Sequence, residues 1–524
     1  VADELTPEEA ADKLNFLEIT RTFRATEARD FKNFFRGEQP LKYASEEWSK
    51  EHQTKYKDFS DNWCEVVANS TAERINLTGF RLSPQNTGAG KPGMTPAEKK
   101  LWETWRRAEG EYISQQGILE TVVARRSYGY VWRMDDDSPI IDWKEAESCI
   151  VQYDPITGRI PMYGVLTWDD IDRERQYAHL YTKKQVYQFW RPKLRRSVPG
   201  LTLDQPTYEL AGGWQFDADG SGDNHLGEVP IVEFPNRPQL GFGPLSDISG
   251  VKAMQEAINL LWAYLFASAD YASMPARVVM GQAPPKIPIL DQNGVKIGER
   301  PIDSDTLTKG RMLWLTGQGA TIGQWEAASL DVFTSVVETA VGHIAAQTRT
   351  PPHYLVANKG LSNLSGDALK AAEAGLIAKV KQTISYLEMP TRRMFRLIAL
   401  QLGDAKLADR CLLGTPIWGD IESRSEAQAA DAMLKRRQAG YPFEYLLEEM
   451  GKNPVEIDRI MAMKEAEAQA NAQAAMGAMG EMLTAPGIPA AGGEQPPAPQ
   501  QEQPPAEKPK PAPKAKPKSA PQGA

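Results

Sequence analysis

Residues able to do chemistry are few in this chain, and none completes a catalytic pattern. Gly241-Phe242-Gly243-Pro244-Leu245-Ser246 lies between an expected strand and an expected helix. That is the context in which a dinucleotide fingerprint cradles a pyrophosphate. Ser246 stands where the third glycine belongs, the surrounding strands look antiparallel, and the stretch that should end in an acidic residue is helix instead. The pattern reads as a tight strand-to-helix turn, with a nucleotide-binding soluble enzyme as the alternative from another class. Gly317-x-Gly319-x-x-x-Gly323 reads as a flexible loop, and no Gly-x-x-x-x-Gly-Lys-Ser/Thr or Gly-x-Ser-x-Gly occurs. Asp135-Asp136-Asp137 has the chemistry to hold a hard cation, but sits between short strands where Asp suits a turn. His52, His179, His225, His343 and His353 show no zinc spacing, and Cys64, Cys149 and Cys411 are far apart and read as buried small hydrophobes. No catalytic residue, cofactor or metal is therefore expected.

Basic residues in one irregular stretch stand out more. Arg349, His353 and Lys359 flank Thr350-Pro351-Pro352 and Asn358-Lys359-Gly360. The stretch 350–364 lies between two long helical patterns, which makes it a candidate moving element.

The elements that must position these residues follow from periodicity. Thr6-Pro7-Glu8-Glu9 and Thr95-Pro96-Ala97-Glu98 are capping boxes with proline at the first helical position. They open helices running to about Phe35 and through Trp102 and Trp105. Further helices fit Ser45–Phe59, Asn62–Ile75 and Gln115–Arg126. From Tyr128 to Phe234 the period becomes two, with runs at Tyr130–Arg133, Ile150–Gln152, Met162–Trp168, Leu180–Trp190 and Pro230–Phe234 separated by Asp, Pro and Gly turns. This predicts an antiparallel β region. A long helix follows over Ser246–Ser273, with Val251, Met254, Ile258, Leu261 and Leu265 on a heptad-like stripe. Short strands at Arg277–Met280 and Met312–Leu315, with a turn at Asp291–Gly294, separate it from a second helix over Ser329–Gln347. Ser365–Leu402 reads as one very long helix, with Leu369, Leu376, Val380, Leu387 and Met394 on a stripe and a kink at Pro390. Thr415–Trp418 reads as a late strand, Ser423-x-x-Glu426 as a helix start and Asn453-Pro454 as the start of the last helix. The fold class is α+β.

Composition sets the frame. The 524 residues carry 60 Lys and Arg against 69 Asp and Glu, a net charge of −9. A strongly basic nucleic-acid binder is excluded, so any DNA contact must be local or loose. The longest apolar run, Ala257–Ala269, is too short to span a bilayer and contains Asn259. The first residues show no signal-peptide pattern. The last forty residues hold 12 of the 38 prolines, with five lysines against three glutamates. They read as a disordered tail of charge +2, leaving −11 on the body.

The order of segments resembles the portal (connector) proteins of tailed bacteriophages, of the type found in siphophages of Gram-positive hosts. Four stretches carry the likeness: Phe34–Leu41, Asn62–Arg81, Val229–Asn236 and Thr348–Leu369. It covers roughly residues 10 to 480. The resemblance implies a ring, usually dodecameric, at one capsid vertex of the virion. It also implies a wing over 1–245, a stem helix over 246–273 and a clip over 274–327. A second stem helix over 328–349 and a tunnel loop over 350–364 follow. The long kinked helix and wing return would occupy 365–420, the crown 421–483, with the tail at 484–524. The implied partners are double-stranded DNA without sequence specificity, terminase, a head-completion or adaptor protein, and the major capsid and scaffolding proteins. No membrane partner is implied.

The residues suit these roles. A heptad stripe needs neighbouring helices, which a ring supplies. An acidic channel with a few basic rings would guide DNA without holding it. Lys359 is the expected basic ring and Arg349 a second, with Asn358, Gly360, Ser362 and Asn363 lining the loop tip. No ATPase motif is present, so the energy of DNA movement must come from a partner. A structural head protein without DNA contact is the alternative in the same setting.

Overall fold

The computed structural model describes residues 4–39, 60–82, 94–133, 138–196, 207–210, 212–273, 277–280, 286–301, 321–324, 330–355, 366–422 and 426–484. Two compact units divide the chain, residues 1–461 and 462–524.

The first unit opens with α1 (Pro7–Arg36), started by the Thr6 capping box and stopped by Gly37 in the left-handed region at φ 77°. Thr6 Oγ1 accepts from Glu9 N, and Glu9 Oε2 accepts from Thr6 N. Both contacts lie within one turn, so local chemistry alone sets this boundary. α2 (Trp63–Ala72) precedes β1 (Leu77–Arg81). α3 (Pro96–Arg107) begins at the second capping box and buries Trp102 and Trp105. α4 (Gly110–Ala124) starts five residues before the expected helix, and Arg126 belongs to the following strand. The expected helix at Ser45–Phe59 and the Asp135–Asp137 turn lie outside the described residues.

The β region is antiparallel throughout. β2 (Arg126–Arg133) is the centre of a three-stranded sheet with β3 (Pro139–Lys144) on one side, and β10 (Ile231–Pro235) closes the other. The larger sheet has six strands in all. β4 (Cys149–Tyr153), β5 (Pro161–Asp170), β6 (Arg175–Tyr181), β7 (Gln185–Arg196) and β8 (Thr207–Leu210) lie in order, and β9 (Gln215–Asp223) also pairs with β7. The single run expected at Leu180–Trp190 is two strands, because Thr182 turns the chain: its hydroxyl accepts from Gln185 N at 2.9 Å. β9 was not expected. Its Gly- and Asp-rich sequence reads as loop, and pairing along β7 overrides that preference.

α1 lays Ala10, Leu14 and Leu17 on the sheet against Ile150, Val165, Leu180 and Phe189. A buried polar chain crosses this sheet. His179 Nε2 donates to Gln188 Oε1 at 2.7 Å, and Tyr181 Oη lies 2.9 Å from both His179 Nδ1 and Tyr130 Oη. Burial holds the imidazole below its usual pKa.

Beyond β10 the chain forms α5 (Lys252–Ser273), six residues later than the helix start expected at Ser246. Four short strands follow: β11 (Arg277–Met280) pairs with β14 (Thr321–Gln324), and β12 (Lys286–Leu290) with β13 (Lys296–Pro301). The Asp291–Gly294 turn joins β12 to β13, with Gly294 at φ 79°. The strand expected at Met312–Leu315 lies outside the described residues. α6 (Asp331–Thr348), the one-turn α7 (Pro352–Leu355) and α8 (Gly366–Gln401) come next.

α8 runs as one helix through Pro390 and buries Leu376, Val380, Leu387 and Met394. Each such side chain contributes about 1.5–3 kcal/mol by leaving water. Their cluster includes Phe80, Trp102, Trp105 and Phe395, with Phe80 and Phe395 stacked at 4.1 Å. α9 (Ala405–Cys411) and β15 (Thr415–Trp418) return the chain, and β15 pairs antiparallel with β1. α10 (Glu426–Gln438), α11 (Phe443–Glu449) and α12 (Pro454–Thr484) complete the described chain. Of the second unit, residues 462–476 are exposed throughout.

Candidate functional site

The basic stretch expected to act is delivered by α6 and received by α8. α2, α5 with the residue just before it, α6 and α7 share a core of Val67, Val251, Ile258, Val341, Ile344 and Leu355. The heptad stripe on α5 splits within one chain. Val251 and Ile258 are fully buried, Met254 and Leu261 are half-buried against the same core, and Leu265 is half-buried outside that cluster.

Two buried amides on α5 organise the chain that precedes it. Gln255 Oε1 accepts from Trp63 N at 2.8 Å, and Asn259 Oδ1 accepts from Asp61 N at 3.1 Å. Asn259 Nδ2 donates to Gln39 Oε1. Asp61 Oδ2 in turn accepts from Trp63 Nε1 and Trp262 Nε1. Asn259 therefore ties Gln39 and Asp61, the residues flanking segment 40–59, to α5, and Gln255 adds a second hold on the 61–63 side. Asn259, which the composition marks only as a break in an apolar run, earns its place by satisfying these groups.

A charged knot lies just before α5. Asp247, with no exposed side-chain surface, faces Lys379 Nζ of α8 at 2.7 Å, as an ion pair rather than an aligned hydrogen bond. Thr71 Oγ1 and Asn236 Nδ2 each donate to Asp247 at 2.9 Å. One carboxylate thus joins α2, the end of β10 and α8.

The base of the basic stretch is equally fixed. Residues 350–355 are not irregular as expected: they include the α7 turn, and Thr350 and Leu355 are buried. Thr348 Oγ1 donates to Ile344 O and lies 2.8 Å from Thr350 Oγ1. Arg74 donates to Ile421 O at 2.9 Å and to Glu373 Oε1 at 3.3 Å. Tyr354 Oη accepts from Arg74 and donates to the same Glu373 carboxylate at 3.1 Å. Partial burial pushes the Tyr354 phenol above its usual pKa, against the pull of Arg74. Arg349 caps α6 in the left-handed region at φ 56° with its side chain exposed. Its Cβ lies 3.6 Å from the position a Cβ would take on Gly375 of α8. Asn358, Lys359, Gly360, Ser362 and Asn363 lie outside the described residues.

The Gly241 turn is a closed connection. Gly241 sits at φ 78°, Gln239 bridges Phe242, Leu245 N donates to Asn236 O, and Asn236 Nδ2 donates back to Leu245 O. β10, which leads into it, is antiparallel to β2, so the βαβ unit of a dinucleotide site is not formed. Among the described residues no group of three or more His, Cys, Asp or Glu is placed to hold a metal ion. No helix among them is long and apolar enough to cross a membrane.

A profile of the family described as "Phage portal protein, SPP1 Gp6-like" matches residues 20–470. The chain belongs to that phage portal protein family. The portal protein of Mycobacterium phage D29 is 25% identical over 442 residues, covering 81% of this chain and 82% of its own. That of Mycobacterium phage L5 is 24% identical over 458 residues, covering 83% and 84%. Among solved structures, a chain of the virion of a native gene transfer agent (GTA) particle matches at TM-score 0.38 and 11% identity, over 78% of this chain and 94% of its own. A chain of the neck of the native GTA particle, computed with C12 symmetry, matches at TM-score 0.38 and 13% identity, over 79% and 96%.

In this portal protein the most constrained polar residues are ones that motif inspection passes over. Asp247, Lys379, Arg74 and Glu373 belong to no spacing pattern. Lys379 carries a signal: it lies three residues after Leu376, on the face of the apolar α8 stripe, where a cation needs a partner.

Proposed function

We propose that this portal protein assembles into a ring at one capsid vertex of the phage particle and serves there, without catalysis, as the passage for double-stranded DNA and the platform for terminase and head-completion proteins. The wing, stem, clip, tunnel-loop and crown assignments of the sequence are part of this proposal, as are contacts with capsid and scaffolding proteins. The observation that carries it is the base of the segment between Leu355 and Gly366. Buried threonines, the Arg74–Tyr354–Glu373 cluster and the Asp247–Lys379 pair make that base rigid. A short segment bearing Lys359 thus leaves a fixed platform between two helices, in a chain whose net charge is −9. A cation on such a segment guides a phosphate backbone without the tight neutralisation that would hold it.

The stem helices also leave apolar side chains for neighbours. Val332 and Val336 on α6 are exposed, and Leu261 and Leu265 on α5 are half-exposed. Packing of these helices between subunits would cover them. The twelve copies usual for the family, at 58.1 kDa each, would give a particle of about 0.7 MDa. Mass measurement and electron microscopy of the purified protein test the ring, and a monomer or dimer would sink it. Lys359→Glu is expected to impair DNA packaging or retention while leaving the particle mass unchanged. Normal DNA-filled heads from that variant would remove Lys359 from the DNA path.

A further inference from the structure

The hairpin of β5 and β6 carries opposite chemistry at its two ends. At the turn between the strands, Ile171 is 66% exposed and is flanked by Asp170 and Asp172. Asp169 pairs with Lys193, and Asp170 with Arg173. Asp172 and Glu174 have no cationic partner among the described residues. The tip is held in one shape: Arg173 N donates to Asp170 Oδ1 at 3.0 Å, and Glu174 sits at φ 51°. It is an apolar knob with two uncompensated carboxylates.

At the other end, beside Pro161, a cavity of about 340 Å³ opens between the sheet and α8. Its apolar lining includes Ile160, Val229, Met389, Leu397 and Leu412. Ile160 and Met389 are 48% and 42% exposed. Four cations line it against a single carboxylate. Arg396 is already paired with Glu228. Arg393 donates to Arg159 O at 2.9 Å, and Arg159, Lys183 and Arg393 have no carboxylate partner among the described residues. On an acidic protein this is a concentration of free positive charge around an apolar hole.

Knob and socket of one chain cannot meet. The ten residues of β5 separate them, roughly 30 Å at the rise of a strand. We propose that the 170–174 tip of one subunit seats in the cavity of the next copy, with Ile171 in the apolar hole and Asp172 and Glu174 against Arg159, Lys183 and Arg393. Two different surfaces of one chain then form each contact, the head-to-tail arrangement that closes into rings. The inference rests on the ring proposed above and adds a named contact to it.

The test uses Ile171→Cys and Met389→Cys, alone and combined, with a short bis-maleimide. Cys64, Cys149 and Cys411 are buried and give little background. The combined variant is expected to cross-link into a ladder extending beyond dimer, and the two single variants to cross-link only when mixed. In parallel, Asp172→Lys with Glu174→Lys is expected to raise the concentration for half-assembly about tenfold or more, since like charges then face each other. Adding Lys183→Glu and Arg393→Glu should restore it. A wild type that forms a ring while the combined variant yields no 171–389 product, or only a product that stops at dimer, overturns this contact alone. A monomeric wild type overturns the ring and the contact together.

Discussion

Replacing Lys379 by Met leaves Asp247 sealed in the interior with no counter-charge. The carboxylate has no exposed surface, and the ammonium stands 2.7 Å away. Removing one partner of such a pair costs about 3–5 kcal/mol, because the remaining charge stays desolvated. Thr71 and Asn236 still donate to Asp247, and such charge-assisted bonds each contribute about 1.5–3 kcal/mol. They keep the expected loss near the lower bound, about 3 kcal/mol. A chain of this size does not unfold in one step, so the loss is best read locally. Amide hydrogen exchange in α8 around residue 379 and in α2 around residue 71 should accelerate about 100-fold. The companion variant, Lys379→Met with Asp247→Asn, removes the buried charge altogether. It should return to within about 1 kcal/mol of wild type. Exchange in Lys379→Met that stays within about fivefold of wild type, or a double variant worse than the single one, would refute the view that this pair holds the three elements together.

Other consequences follow from single environments. A Cβ at Gly117 would stand 2.2 Å from the Trp143 ring, whose Nε1 is held by Ser127 Oγ. Gly117→Ala should therefore cost about 1–3 kcal/mol despite the better helix propensity of Ala, measured as a lower denaturant midpoint. Burial pushes the Cys64 and Cys411 thiols up to about 12, and Cys149 also upward. A thiol reagent at neutral pH should label almost none of the native protein and all three cysteines after denaturation. Burial lowers the His179 pKa below 6.5. The unfolded chain therefore takes up a proton that the folded one refuses, and stability is lost as pH falls below about 6.5. His179→Gln should lose less stability over that range, seen as a shallower fall of melting temperature with pH.

Much of this protein is legible because its signals are local. The capping boxes at Thr6 and Thr95 act between residues three apart, so composition and order are enough to place the starts of α1 and α3. The α8 stripe of Leu376, Val380, Leu387 and Met394 is likewise a helical repeat written in one segment. The four stretches of family likeness pointed to the portal proteins, and the match over residues 20–470 shows that family. The polar residues that tie the elements together were not legible in this way. Asp247, Lys379 and Thr71 come from three distant places in the chain, and each taken alone is an ordinary residue. β9 has the composition of a loop and becomes a strand only because β7 offers it a ladder.

The sequence by itself determined the α+β class, the capped starts of α1 and α3, the antiparallel region and the family, because each depends on contacts within a few residues or on order along the chain. Only the tertiary structure decided that β15 pairs with β1 across more than three hundred residues, that one buried carboxylate binds three elements, and that a β-hairpin carries an acidic tip at one end and a basic socket at the other. Such partners are selected by burial and topology, which bring together groups whose spacing in the sequence carries no period.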